Sequence, residues 1–172
     1  IAEFGGDPKN VLIFGQSGGG AKCATLMAMP SAHGLFHRVA TMSGQQITAS
    51  RKATAARSAA EFLAALQLTA DRLGELKTMP VERLLAARPR GSYFGPVKDG
   101  RSLPRDPFDP DADPLSAGIP MILGNTHDET RGLMGGDPSL FELTWATLQP
   151  KLEANSPFMG GLEGLGNLQR II

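Results

Sequence analysis

The sequence predicts an α/β fold built on a mainly parallel sheet with flanking helices. Three observations predict it. A short apolar run, Val11-Leu12-Ile13-Phe14, leads into a glycine-rich turn and then a breaker-free stretch over residues 21–29. A second run, Arg38-Val39-Ala40-Thr41-Met42, ends at Ser43-Gly44, so two strands are joined through a helix, as in a parallel βαβ unit. A third, Ile119-Pro120-Met121-Ile122-Leu123-Gly124, gives way at once to polar Asn125-Thr126-His127-Asp128-Glu129. Polar groups at the carboxyl end of a strand are where α/β sheets place chemistry.

Taken in order, Val11 to Phe14 lies between Gly5-Gly6-Asp7-Pro8 and Gly15, and a continuous apolar run suits a central strand covered on both faces. Residues 21–29 are rich in alanine, leucine and methionine and stop at Pro30, which predicts a helix. Ala59, Phe62, Leu63 and Leu66 fall at i, i+3, i+4 and i+7 and predict a helix over residues 53–66. Thr69 is placed to cap a shorter helix carrying Leu73 and Leu76, and Pro80 to start another through Leu84 and Leu85. These faces are expected to serve packing. Residues 88–114, rich in proline, aspartate and glycine, read as a long surface loop. Beyond Pro138 a helix is expected through Phe141 and Trp145, followed by a glycine-punctuated tail, 156–172, with no assignable pattern.

Composition narrows the function classes. With 172 residues and 41% hydrophobic content, the chain suits one globular domain or one piece of a larger one. Lys plus Arg equals Asp plus Glu at 17 each, so no excess charge steers it toward nucleic acid or an anionic membrane. Apolar runs such as residues 119–123 are far too short to span a bilayer. A lone cysteine, Cys23, forms neither an intrachain disulfide nor a cysteine-based metal site. The chain opens on Ile1, and residues 4–8 read like the end of a helix begun upstream, so a truncated start is expected and the lack of a signal peptide says nothing of location.

The turn Gly15-Gln16-Ser17-Gly18-Gly19-Gly20-Ala21-Lys22 admits three readings. A phosphate loop requires G-x-x-x-x-G-K-[ST]; Gly15 and Gly20 have that separation, but Lys22 comes one place late and Cys23 replaces the hydroxyl. One residue of slip on a helix turns a side chain by about 100 degrees. In a plain turn, the glycines merely permit a sharp bend. In a nucleophile elbow, a serine on a strained strand-to-helix turn projects its hydroxyl outward, and the strand before and helix after are the context this requires. Ser17 is then forced toward positive φ, side chains at Gly15 or Gly19 are expected to collide with the neighbouring strand and helix, and the Gly18 N–H forms half of an oxyanion hole. From the residues alone, either Asp128 or Glu129 could supply an acid after the third strand.

The stretches FGGDPKNVLIFGQSGGGAK and MAMPSAHGLFHRVATMSG, with FGPVKDG at residues 94–100, Leu103-Pro104 and IPMILGNTHDE at residues 119–129, resemble the carboxylesterase type B family of α/β-hydrolases. The likeness covers roughly residues 1–133. It implies Ser17 as catalytic nucleophile, Gly18 as an oxyanion-hole donor, Glu129 as the acid of a Ser-His-Glu triad, and Ser43 as a serine that supports the acid. Gln16 stands where the family commonly has glutamate and Gly18 where alanine is common; neither removes a required group. The implied chemistry is acyl transfer to serine from a small-molecule ester, with no metal or organic cofactor. In domain terms residues 1–172 read as a partial α/β-hydrolase domain, with the elbow over 11–29 and the acid loop over 119–130.

In this fold the triad runs serine, acid, histidine, and no histidine follows Glu129. His33 and His37 read as surface or packing residues, and His127 is only two positions from Glu129, a poor spacing for an acid that must grip the far side of an imidazole reaching Ser17. An H-G-G-G-like oxyanion loop is also missing. The chain is therefore expected to be an internal piece of a longer esterase, inactive alone, with its base beyond Ile172. The spacing Asp109-x-Asp111-x-Asp113 opens like a calcium loop, but Pro114 and Pro120 occupy the required glycine and glutamate positions. A rival reading is a non-catalytic binding or adhesion module of the same fold. Retention of Ser17, Gly18 and Glu129 together weighs against it.

Overall fold

In the computed structural model, which describes residues 1–88 and 94–154, the elements in chain order are β1 (Leu12–Gln16), α1 (Gly18–Leu26), β2 (Arg38–Met42), β3 (Ser50–Arg51), α2 (Lys52–Ala65), α3 (Val81–Ala87), β4 (Val97–Lys98), β5 (Met121–Gly124), α4 (Glu129–Met134) and α5 (Trp145–Ala154). The glycine-rich tail lies outside the described residues. A parallel three-stranded sheet runs β1-β2-β5, and β3 and β4 form a separate two-residue parallel pair. Met121 begins β5 two residues later than the apolar run suggests; Pro120 has no N–H for the ladder, although its carbonyl accepts from the Val39 N–H at 3.1 Å.

The register places Ile13, Val39 and Met121 in one row, Phe14, Ala40 and Ile122 in the next, and Gln16, Met42 and Gly124 in the last. Side chains alternate faces along a strand. The Ile13-Val39-Met121 row meets α1, where Cys23, Met27, Ala32, Phe36 and Val39 make the main core. The adjacent row is bare: Phe14 is 67% and Ile122 76% exposed, with Leu12 beside them at 50%. The expectation that β1 is central and covered on both faces is thus corrected, because β2 is the middle strand and only the α1 face is covered among the described residues. An apolar run records which side chains favour burial, while strand position depends on partners distant in sequence.

Around α2 the chain follows its periodicity in part, burying Leu66 just past the helix end and half-burying Phe62 and Leu63, whereas Leu73 and Leu85, expected to pack, are exposed. Ala59, expected on the same face as Phe62, is exposed. After Thr69 the chain forms a 3₁₀ helix, Ala70–Lys77. A 3₁₀ helix, Pro138–Glu142, likewise precedes α5. The stretch read as a surface loop is irregular but partly core. Leu103 and Pro107 are buried, as are Asp106 and Asp113. Its aspartates take the place of a ladder by accepting backbone N–H groups. Asp99 Oδ1 accepts from Arg101, Ser102 and Leu103 at 2.8, 2.8 and 3.0 Å, and these amide bonds pull its carboxyl down to about 2. Asp106 accepts from the Ala49 N–H at 2.8 Å and from the Lys98 ammonium. No helix among the described residues is long and apolar enough to cross a membrane.

Candidate active site

The row Gln16-Met42-Gly124 ends the sheet, so three loops leave its carboxyl edge at one level. The ladder continues one step past it. The Ser17 N–H donates to the Met42 carbonyl, and the Ser43 N–H to the Gly124 carbonyl, each at 2.8 Å. Both serines then turn abruptly, each with φ 51°. For Ser17 the accompanying ψ is −120°, a conformation that costs an L-residue strain and that its surroundings must enforce.

Glycines enforce it by allowing backbones to meet. A Cβ on Gly15 would strike the Gly19 carbonyl and stand 2.7 Å from the Gly20 nitrogen, and one on Gly20 would strike the Gly44 carbonyl oxygen. A Cβ on Gly44 would overlap the Ser17 carbonyl. Gly15 thus behaves as the elbow reading requires. Gly19 does not: a Cβ there meets nothing within 4 Å, because that position points off α1 into open space. Gly20, weighed from the sequence only for a phosphate loop, and Gly44, given no role there, do that work instead. The signal for Gly44 was its place directly after Ser43 at a strand end.

Ser17 is exposed, and α1 starts at Gly18 immediately after it. N–H groups in a helix's first turn lack intrahelical partners and carry the positive end of its dipole, so they favour an anion formed at the turn. Lys22 folds back one turn, its Nζ 3.4 Å from the Gly18 carbonyl oxygen.

Glu129, half-buried, is the first residue of α4. Its Oε2 accepts from the Thr126 hydroxyl at 2.6 Å and from the Thr126 N–H at 3.1 Å. Hydrogen bonds from the Thr126 hydroxyl and then from Ser43, with the Thr126 amide, hold its carboxyl below the ordinary glutamate range. Asp128 instead contacts His127 Nδ1 at 3.2 Å and Arg131 at 4.0 Å. Of the two carboxylates the residues alone left open, Glu129 is the one that Thr126 holds by two hydrogen bonds. Gln45 Nε2 ties the turn after β2 to the loop after β5, donating to Asn125 Oδ1 at 3.3 Å. Ser17 and Glu129 are not hydrogen-bonded to each other.

The three histidines stand elsewhere. His37 Nδ1 accepts from the Val11 N–H at 3.2 Å, at the amino end of the sheet and opposite Ser17. His33 is exposed, and the His127 side chain is 96% exposed against Asp128. Asp111 pairs with Arg105, and Asp113 accepts from the Leu115 N–H at 2.8 Å, so the aspartate repeat is engaged in its own loop. Among the described residues no group of three or more His, Cys, Asp or Glu side chains is arranged to hold a metal ion. An open concavity of about 710 Å³ lies between Lys98, Arg105 and Asp109, and none of residues 17, 43 or 125–129 lines it.

Comparison with known proteins adds identity to this geometry. Residues 1–139 match the model of the carboxylesterase family. Over 139 residues the chain is 38% identical to the para-nitrobenzyl esterase of Bacillus subtilis (strain 168), covering 75% of this chain and 28% of that protein. It is 35% identical over 149 residues to carboxylesterase 1D of Mus musculus, covering 75% of this chain and 26% of the relative. Among solved structures, a Geobacillus stearothermophilus carboxylesterase superposes with a TM-score of 0.74 at 34% identity, over 90% of this chain and 34% of that one. The chain therefore spans about a third or less of the length of these relatives.

Proposed function

The chain belongs to the carboxylesterase family, and from that premise we propose that it carries the nucleophile and the acid of a serine carboxylic ester hydrolase. Ser17 Oγ gives its proton to an imidazole supplied from outside these 172 residues and attacks the ester carbonyl carbon. The Gly18 N–H is one of the donors holding the resulting oxyanion, each such donor contributing about 100- to 1,000-fold in rate. Collapse expels the alcohol, which takes the proton from the imidazolium and leaves an acyl group on Ser17. Water repeats the sequence and releases the carboxylic acid. Glu129 orients the imidazole and stabilises its charged form. The substrate class is small-molecule carboxylic esters.

One observation carries this reading: the strained Ser17 turn and the Glu129 loop leave the same edge of a parallel sheet, one ladder step past the row Gln16-Met42-Gly124. Treating the complete polypeptide with a fluorophosphonate probe tests it. Wild-type protein is expected to label on Ser17 and lose hydrolysis of a para-nitrophenyl ester in proportion, while Ser17→Ala neither labels nor hydrolyses. Equal labelling of both proteins would end the assignment.

A further inference from the structure

Resting on that reading, we infer that Thr126 is a positioning residue for the reaction, fixing the orientation in which the Glu129 carboxylate faces the imidazole. Both Thr126 donors converge on one atom: its hydroxyl reaches Oε2 at 2.6 Å and its N–H reaches the same Oε2 at 3.1 Å. A carboxylate on a flexible side chain can otherwise turn about its terminal bond and change the direction of its lone pairs. With one oxygen doubly engaged, turning breaks two bonds, so the plane of the group is held and the second oxygen stays in one place for a ring N–H. The loop carrying Thr126 is itself anchored, since Asn125 accepts from Gln45 and Gly124 from the Ser43 N–H. The carboxylate is thereby referenced to the sheet edge that positions Ser17.

A threonine three residues before a glutamate also closes a turn locally, so the test separates positioning from loop closure. The complete polypeptide is assayed as wild type, Thr126→Val and Thr126→Ser with a para-nitrophenyl ester across pH, alongside its melting temperature. Thr126→Val keeps the backbone bond and loses the hydroxyl. It is expected to lower kcat at least about tenfold, the scale of one hydrogen bond to a charged group, with KM within about twofold. An imidazole less well held by its carboxylate loses protonated-form stabilisation, so the acid limb of the rate profile moves to lower pH. Thr126→Ser is expected to restore both. Wild-type kcat and acid limb in Thr126→Val, or losses that follow melting temperature and are not rescued by serine, would overturn the inference while Ser17 labelling stands. Absence of Ser17 labelling in the wild type would remove the underlying reading and this inference with it.

Discussion

Gly44 and Ser17 are in backbone contact so close that a Cβ on Gly44 would overlap the Ser17 carbonyl. The end of one strand thus abuts the turn that ends its neighbour, and the atoms in the way are main chain, which yields only by moving the elbow. Gly44→Ala is expected to destabilise the protein by about 1–3 kcal/mol, the usual cost of overpacking, and to abolish probe labelling of Ser17. Gly19→Ala is the contrast: with open space around that position, exchanging a helical glycine for alanine is expected to stabilise by up to about 1 kcal/mol. Urea unfolding of both variants checks the pair, and equal effects would contradict the described packing.

The strain at Ser17 predicts a trade between stability and reactivity. Its φ of 51° with ψ of −120° suits glycine far better than serine. Ser17→Gly is expected to raise stability by about 1 kcal/mol or more, within the range for one strained residue, while eliminating labelling. A variant less stable than wild type in calorimetry would show that the turn is not strained.

Thr41 offers a stabilising substitution beside the site. It is 1% exposed on β2, in register with Gly15 and Leu123, and its hydroxyl finds no hydrogen-bond partner among the described residues. A buried unpaired hydroxyl costs about 1–3 kcal/mol. Thr41→Val is therefore expected to stabilise by about 1 kcal/mol without changing Ser17 labelling, as measured by chemical denaturation.

Acid should weaken the fold partly through Asp99 and Glu129, two of the carboxylates whose pKa values are depressed on folding. Asp99 falls from the usual 3.8 to about 2 through the Leu103, Arg101 and Ser102 amides, and Glu129 falls below 4.5 through Thr126 and Ser43. A group lowered on folding stabilises fully above its unfolded pKa, and that contribution disappears as pH drops through the folded value. Stability is expected to decline from just above pH 4.5 toward about 2. Asp99→Asn should flatten the lower part of that decline and Glu129→Gln the upper part. Denaturation midpoints measured through this window check the assignment, and wild-type slopes in both variants would refute it.

The β1-α1-β2 unit was legible because its signals are local: apolar run, glycines, breaker-free helix and second run lie within 32 residues, 11–42. The sharp turn at Ser17 was legible for the same reason. The order of the strands was not, since β1 and β5 are brought against β2 by packing across long separations. Gly44 escaped notice because its value lies in contact with Ser17, 27 positions away. Similarly, the buried Asp106 reads as a loop residue until the Ala49 amide is found on it. Choosing Glu129 over Asp128 needed the family resemblance; the structure adds the physical distinction, the two hydrogen bonds from Thr126.

The extra ladder step formed by the amides of Ser17 and Ser43 has a thermal corollary. A nucleophile mounted on a free loop loosens before its scaffold melts, leaving a warm, folded and inert protein. Here the serine's own peptide group is stitched into the pleat, so heating should extinguish reactivity and sheet circular dichroism along a single curve.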